Sequence, residues 1–394
     1  MVKFIHAADL HLDSPFKSRS KMPSNIVNAL MNSTFVAAKR MFDYAIENKV
    51  DFVILSGDVF DVDNRSLKSE IFLKEQFERL ENHGIFTYMI HGNHDPVVDG
   101  VKTSWPSTVK VFRENVETYQ AMSESGDNVF IHGFSYYQDE SYESKLDHYP
   151  TNTRNDGIHI GLLHGTYSKS VRESGRYTEF TLEDLNSKLY HYWALGHIHM
   201  RQTLSEMPLI NYSGNIQGRH VNESGEKGFL LVEGDSIKLR SKFVPVQDVL
   251  FESYELDVTS VDRMDLYQEV TKFKNKLRAD GRQIIKLSAF YDGDEDISST
   301  ELFEVINLLQ EDETDIDNFI WVDEMKLEYK DVERNALIND IRGSFGNNDA
   351  IYKESLNTLY MDPKVNRYLP DIEDIDRDQL FELGEEKLKL LMRK

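Results

Sequence analysis

Five apolar runs in the first half of the chain each stop at a short motif of polar, ligand-type residues. FIHA runs into Asp9-Leu10-His11, FVILS into Gly57-Asp58-Val59-Phe60-Asp61, and FTYMI into Gly92-Asn93-His94-Asp95. IHIGLL ends at His164-Gly165, and YWAL at Gly196-His197-Ile198-His199. The runs are short and bounded by Gly, Asn and Asp, as strands are. Between the first three lie amphipathic stretches, near Asn25 to Asn48 and Leu67 to Asn82, with the period of helices. This βαβαβ order predicts parallel strands with crossover helices, and such sheets bind ligands outside the carboxyl ends of their strands. A fold that accepts the sequence therefore gathers four or five of the motifs at one edge. Asp9 and His11 are two apart, as are His197 and His199, so extended backbone would point each pair to one side. The glycines before Asp58, Asn93 and His197 suit tight turns that bring backbone close to a ligand.

From about Val109 the pattern changes to shorter β runs, VFIHGFSYY, LINYSG and GFLLVEG among them, which predicts a second sheet packed on the first. At 394 residues the chain exceeds the roughly 250 to 300 at which single cores stop growing. We expect residues 1–247 to form the main domain. Residues 248–332 read as a small α/β unit: strand FESYELDV, helix Asp262 to Leu277, strand QIIKLSAFY, helix Ser299 to Leu309 and strand FIWVDEMKLEY. Residues 333–394 are polar and turn-rich, closing in a charged helix with Leu380, Phe381, Leu383, Leu388 and Leu391 at mostly helical spacing.

All 13 histidines lie at or before His220, so imidazole chemistry belongs to the first part. The chain has no cysteine, which excludes disulfides and thiolate ligands and leaves histidine, carboxylate, amide or water for any metal. A net charge of −23 argues against a broad basic surface that coats nucleic acid, but not against a nuclease whose bound cations meet the phosphate. The start, MVKFIHAADLHLD, lacks a signal sequence, and no run is long enough to span a bilayer, so we expect a cytoplasmic chain without a membrane.

Each motif alone is weak. A lone histidine after a strand is usually a hydrogen-bonded structural residue, the reading we give His6, His91 and His132. Gly-Asp and Gly-Asn usually mark turns, and Asp13 and Asp95 are expected to cap turns or support ligands. Five strand-end motifs of compatible type are another matter, because together they describe a catalytic centre.

The order DxH, GDxxD, GNHD, H and GHxH resembles that of the calcineurin-like metallophosphoesterase superfamily over residues 1 to about 220. GNHD in place of GNHE, and no Arg-Gly after GDVFD, look unlike the serine/threonine phosphatases of that group. FIHAADLHLDSPF, GDVFD and YSGNIQGRHVNESGEKGF are similar to SbcD-type DNA repair exonucleases, with HLDSPF and GNIQGRH worded like their YhaO-like branch. The resemblance implies a four-layer αββα metallophosphoesterase sandwich with a small α/β capping domain and a C-terminal helical segment. It also implies two metal ions, one held by Asp9, His11, Asp58 and His199 and the other by Asp58, Asn93, His164 and His197, with Asp58 bridging. Oxygen and imidazole ligands suit Mn2+, with Mg2+ or another divalent cation as the alternative. In family terms His94 acts on the phosphate or leaving oxygen and Asp61 orients it. Arg219 and His220 are candidates for contacting substrate phosphate, with an ordinary exposed loop as the alternative.

The implied function is a 3′-to-5′ DNA exonuclease whose C-terminal helix grips an SbcC-like coiled-coil ATPase, and the resemblance also suggests a homodimer. The alternative for that helix is packing on its own cap domain. Rival functions are a phosphodiesterase for small nucleotides and a DNA-tethering scaffold subunit of the ATPase.

Overall fold

The computed structural model describes residues 1–14, 22–61, 65–97, 104–137, 145–154, 156–168, 178–258, 263–291 and 297–329, with Leu356, Tyr360, Gly384 and Lys387 beyond them. The terminal apolar face expected from Leu380 to Leu391 lies outside the described residues.

The chain begins with β1 (Val2–Ala7), α1 (Ser24–Glu47), β2 (Phe52–Ser56), α2 (Leu67–Glu81), β3 (Phe86–Ile90) and β4 (Val109–Val111). Then come β5 (Glu117–Met122), β6 (Asn128–Gly133), β7 (Ile158–His164), β8 (Thr166–Tyr167), β9 (Glu179–Phe180), α3 (Leu182–Asn186), β10 (Tyr192–Gly196), β11 (Gln202–Glu206) and β12 (Leu209–Tyr212). The last elements are β13 (Gly228–Gly234), β14 (Leu239–Pro245), β15 (Val249–Val258), α4 (Arg263–Leu277), β16 (Arg282–Tyr291), α5 (Ser299–Glu311) and β17 (Ile320–Tyr329).

Two six-stranded sheets result, ordered β14-β13-β1-β2-β3-β4 and β11-β12-β10-β7-β6-β5. In the first, β1 to β4 run parallel, as the alternating strand and helix pattern predicts. In the second, β12, β10, β7 and β6 run parallel between antiparallel edges. Side chains alternate across each strand and so sort into layers. Phe4, Phe52 and Ile54 face Ile160, Leu162 and Tyr192 between the sheets, whereas Ile5, Val53 and Leu55 pack under Phe42 of α1 and Phe77 of α2. On the outer face of the second sheet Trp193, Leu195 and Ile210 are covered by Tyr149, Phe180 and Leu185. The architecture is the expected αββα sandwich. Its second outer layer is thin, resting on a five-residue helix that a Thr181–Asp184 capping box starts.

Strands β15, β16 and β17 form a separate three-stranded sheet, in that order. Val249, Phe251, Ile284, Phe319 and Trp321 pack against Ile26 and Leu30 of α1. The chain divides into two compact units: Met1–Tyr254 with Tyr267–Leu287 and Ser299–Met325, and Glu255–Leu266 with Ser288–Ser298 and Lys326–Lys394. Every residue of the crevice described next belongs to the first. Among the described residues no helix is long and apolar enough to cross a membrane.

Candidate metal centre

The five motifs meet where β1, β2, β3, β7 and β10 end. Leaving its strand, the chain after β1 keeps pairing with the chain after β2: the Asp9 N–H donates to Gly57 O at 3.0 Å, His11 N–H to Asp58 O at 3.0 Å, and Leu12 N–H to Val59 O at 3.1 Å. The two-residue spacing does not work through extended backbone as expected. Asp9 and His11 have φ of 53° and 42°, Asp58 has 50° and His197 has 100°. Such left-handed conformations cost roughly 1 to 3 kcal/mol each and concentrate at functional sites. They turn the side chains off the strand direction and into a common crevice.

Glycine makes room for the approach. A Cβ on Gly92 would strike Asp58 Oδ1 and the His164 ring, and one on Gly196 would strike Ser56 O and the same ring. Asp95 ties the turns together, accepting from Gly92 N at 2.7 Å and from Val59 N at 2.9 Å. That is the supporting role its sequence context suggests. His6 lies buried between the sheets, within hydrogen-bond distance of the Tyr192 hydroxyl at 2.8 Å and Leu195 O at 3.2 Å, and burial pushes its pKa down to about 3.

Three groups of potential ligand atoms lie close enough to hold an ion: Asp9, His11 and His199; Asp58, His164 and His197; and His11, Asp61 and His94. In the first, His11 Nε2 and His199 Nε2 are 3.1 Å apart. His199 Nδ1 faces the Glu223 carboxylate at 2.7 Å and donates to it, leaving the Nε2 lone pair inside the crevice. In the second, His164 Nδ1 donates to Ser56 O at 2.9 Å, so that its Nε2 faces Asn93 Oδ1 at 3.0 Å. His197 Nδ1 meets that same amide oxygen at 3.0 Å. Asp58 stands between the groups. Its Oδ1 accepts the His94 N–H at 2.9 Å, and its Oδ2 lies 3.3 Å from His164 Nε2 and 3.8 Å from His11 Nε2. Nitrogen lone pairs aimed at one another, with carboxylate oxygens among them, are a donor set that fits divalent cations of the imidazole-tolerant kind.

Without a cation the groups perturb one another. Burial pushes the Asp9 carboxyl up to about 6, against the pull of His164 and His199. Burial opposes charge on Asp58 and on His164 too, but their mutual attraction wins, holding Asp58 below the usual carboxylate range and His164 up to about 9. Burial and the neighbouring His164 push His197 down to about 4.

The other expected site residues fall into place unevenly. Asp61 accepts from the Ser14 hydroxyl at 2.7 Å and from Arg219 Nη1 at 3.2 Å, whereas His94 Nδ1 stays 3.9 Å away. Ser14 and Arg219 share Asp61 Oδ2, and it is Oδ1 that faces His94 Nδ1, beyond hydrogen-bond distance. Arg219 points into the crevice rather than out from an exposed loop; His220 remains at the surface with its side chain 58% exposed. Glu223 was not among the residues expected to matter. The NESGE wording around it carried no ligand spacing, and only its contact with His199 reveals it. A cavity of about 950 Å3 opens elsewhere, lined by Val2, Lys3, Asp51, Gly234 and Lys238, and brings no imidazole to its wall.

A model of the calcineurin-like phosphoesterase family matches residues 2–215. The uncharacterized metallophosphoesterase YhaO of Bacillus subtilis is 40% identical over 326 residues, covering 81% of this chain and 79% of the relative. The DNA double-strand break repair protein Mre11 of Methanocaldococcus jannaschii is 23% identical, covering 67% and 66%. Its namesake from Sulfolobus acidocaldarius is 24% identical, covering 73% and 74%. With a crevice of metal-ligand groups at the strand ends and these kinships together, the chain belongs to the calcineurin-like phosphoesterase family as a metal-dependent hydrolase related to the Mre11 proteins.

Proposed function

We propose that the chain is a two-cation DNA phosphodiesterase acting as a 3′-to-5′ exonuclease of the SbcD type. Asp9, His11 and His199 would hold one cation and Asn93, His164 and His197 the other, with Asp58 standing between the two groups. The observation that carries this reading is Asp58, with one carboxylate oxygen spent on the His94 N–H and the other facing imidazole nitrogens of both groups. Kinship with Mre11 double-strand break repair proteins supports DNA as the substrate. Manganese suits the mixed imidazole and oxygen donors better than magnesium. When bound, such a pair supplies an activated water and a clamp on the non-bridging phosphate oxygens.

The chain's own residues complete the chemistry. His94 is fixed by its backbone to Asp58, and its side chain is 37% exposed. It can therefore reach a leaving 3′-oxygen and give it a proton. Arg219, beside Asp61 and His199, offers a guanidinium to a phosphate oxygen. An SbcC-like coiled-coil ATPase held by the C-terminal segment, and a homodimer, belong to the same proposal. The net charge of −23 favours a second reading, a phosphodiesterase for small nucleotides that needs no basic surface.

The test is hydrolysis of 3′- and 5′-labelled DNA duplexes by the full chain with manganese, magnesium or chelator, beside a small chromogenic phosphodiester. Manganese-dependent shortening from 3′ ends is expected, absent in Asp58→Ala. In His94→Ala it should be about 10²- to 10⁴-fold slower with the cation still bound. Cleavage of the small ester alone overturns DNA as substrate. Cation binding with no hydrolysis of either supports the DNA-tethering scaffold instead.

A further inference from the structure

The two groups of ligands are held in place by different means. His164 gives its outer N–H to a backbone carbonyl, Ser56 O at 2.9 Å, within the sheet framework. His199 gives its outer N–H to a side chain, the Glu223 carboxylate at 2.7 Å. That carboxylate is itself over-determined. Its other oxygen accepts from Arg219 N at 2.8 Å and Asn215 Nδ2 at 2.9 Å, and His220 Nε2 lies 3.5 Å from the first. Only 9% of the Glu223 side chain is exposed, so water does not compete for these bonds.

We propose that Glu223 is a positioning residue for one cation alone, the one at Asp9, His11 and His199, through its bond to the outer nitrogen of His199. This deepens the two-cation reading and rests on it. A carboxylate behind an imidazole fixes the tautomer with Nδ1 protonated, aims Nε2 at the ion and makes it more basic. His199 follows β10 in the GHIH motif and has no strand partner of its own in the way that His164, the last residue of β7, has Gly196. Without Glu223 its ring is free to turn, or to protonate Nε2 and donate to His11. None of the second group's contacts described above reaches Glu223, and His164 keeps its bond to the backbone carbonyl of Ser56. The two positions are therefore inequivalent by construction, and a partly loaded protein should hold its ion at Asp58, Asn93, His164 and His197. The same carboxylate pins the Arg219 N–H, so the guanidinium beside Asp61 is placed by the group that prepares the ion.

The experiment is manganese binding to the chelated full-length chain by calorimetry, for the wild type, Glu223→Gln and Glu223→Ala, with metal-free melting recorded in parallel. The wild type should bind two equivalents. Glu223→Ala should keep one affinity within about twofold and lose the other by about 10- to 100-fold, the usual cost of removing such a partner. Glu223→Gln, which keeps an acceptor oxygen without the charge, should fall between. Two unchanged affinities, or two lowered equally alongside a drop in metal-free melting, would make Glu223 a mere loop anchor and overturn the proposal. If the wild type binds fewer than two equivalents, the two-cation reading itself fails, and that failure is visible before any variant is considered.

Discussion

Strands β7 and β10 have histidines in or beside both of their ends, and the two ends behave differently. At their amino ends His159 and His191 join His132 of β6; at their carboxyl ends His164 and His197 face the crevice. At that end His132 and His159 lie nearly coplanar, side by side rather than face to face. His132 and His159 are 5.2 Å apart at 15°, and His132 stacks on Tyr190 at 4.6 Å and 23°. Their nitrogens are spent in the ring planes, along a chain from Thr118 through His132 and His159 to Asp156 with contacts of 2.8, 3.0 and 2.9 Å. In the crevice the rings meet edge-on, His11 with His199 at 71° and His164 with His197 at 73°. Edge-on rings can point several lone pairs at a shared centre, whereas the coplanar row aims each nitrogen at a single neighbour. Among the described residues every potential ion-holding group lies at the crevice end. The abundance of imidazole thus says little; its angle, and the carboxylates beside it, decide whether it can hold a metal.

Exchanging one histidine from each end tests that contrast most severely. His164→Ala removes a proposed ligand, and because even the partners behind ligands are worth about 10- to 100-fold, hydrolysis should fall by about 100-fold or more. His159→Ala, on the same strand, should leave hydrolysis within about twofold and lower the melting temperature through lost stacking. Activity assays and melting curves on the two proteins check this. Equal losses of activity would erase the distinction between the ends.

Much of this was legible in the sequence because it depends on local patterns. The helix read from Asn25 to Asn48 is Ser24–Glu47, and the one from Leu67 to Asn82 is Leu67–Glu81, since amphipathic period and flanking polar residues are both short-range. The strand-end motifs were readable for the same reason, and parallel topology then sends them to one edge. The missing parts depend on distant contacts. Nothing near Asp61 announces that Ser14 and Arg219 will share one of its oxygens, and nothing near Glu223 announces His199. Left-handed φ at Asp9 and His11 is equally silent in the sequence, because it is imposed by hydrogen bonds to the chain after β2.

Acid should probe the row of rings through His132. Burial pushes His132 down to about 3 from an unfolded value near 6.5. With the folded value the lower one, the unfolded chain binds the extra proton. Stability is therefore full above about pH 6.5 and falls as pH drops toward 3. At pH 5 the loss attributable to His132 is about 2 kcal/mol. Denaturant unfolding of the chelated protein between pH 7 and 5 should show this slope, with a shallower one in His132→Gln. An unchanged slope in the variant would mean that the stack tolerates a proton.

The crevice should respond to pH in another currency, cation affinity, and by a smaller step. His164 in the cation-free protein keeps its proton up to about pH 9, because the attraction of Asp58 outweighs the burial that would remove it. A ligating nitrogen needs its lone pair, and Nδ1 is already committed to Ser56 O, so the proton that has to leave is the one on Nε2, facing Asp58. Binding therefore releases a proton below about pH 9, and affinity climbs with pH by at most about tenfold per unit until that point, where it levels. Calorimetry with manganese at pH 7 and 8, in buffers of different ionisation enthalpy, measures proton release and affinity together. In Asp58→Asn the attraction is gone, burial lowers the His164 pKa, and the release at neutral pH should shrink even as the affinity falls. Release that persists undiminished in that variant would place the mobile proton elsewhere, with the Asp9 carboxyl, raised to about 6 by burial, as the next group to examine.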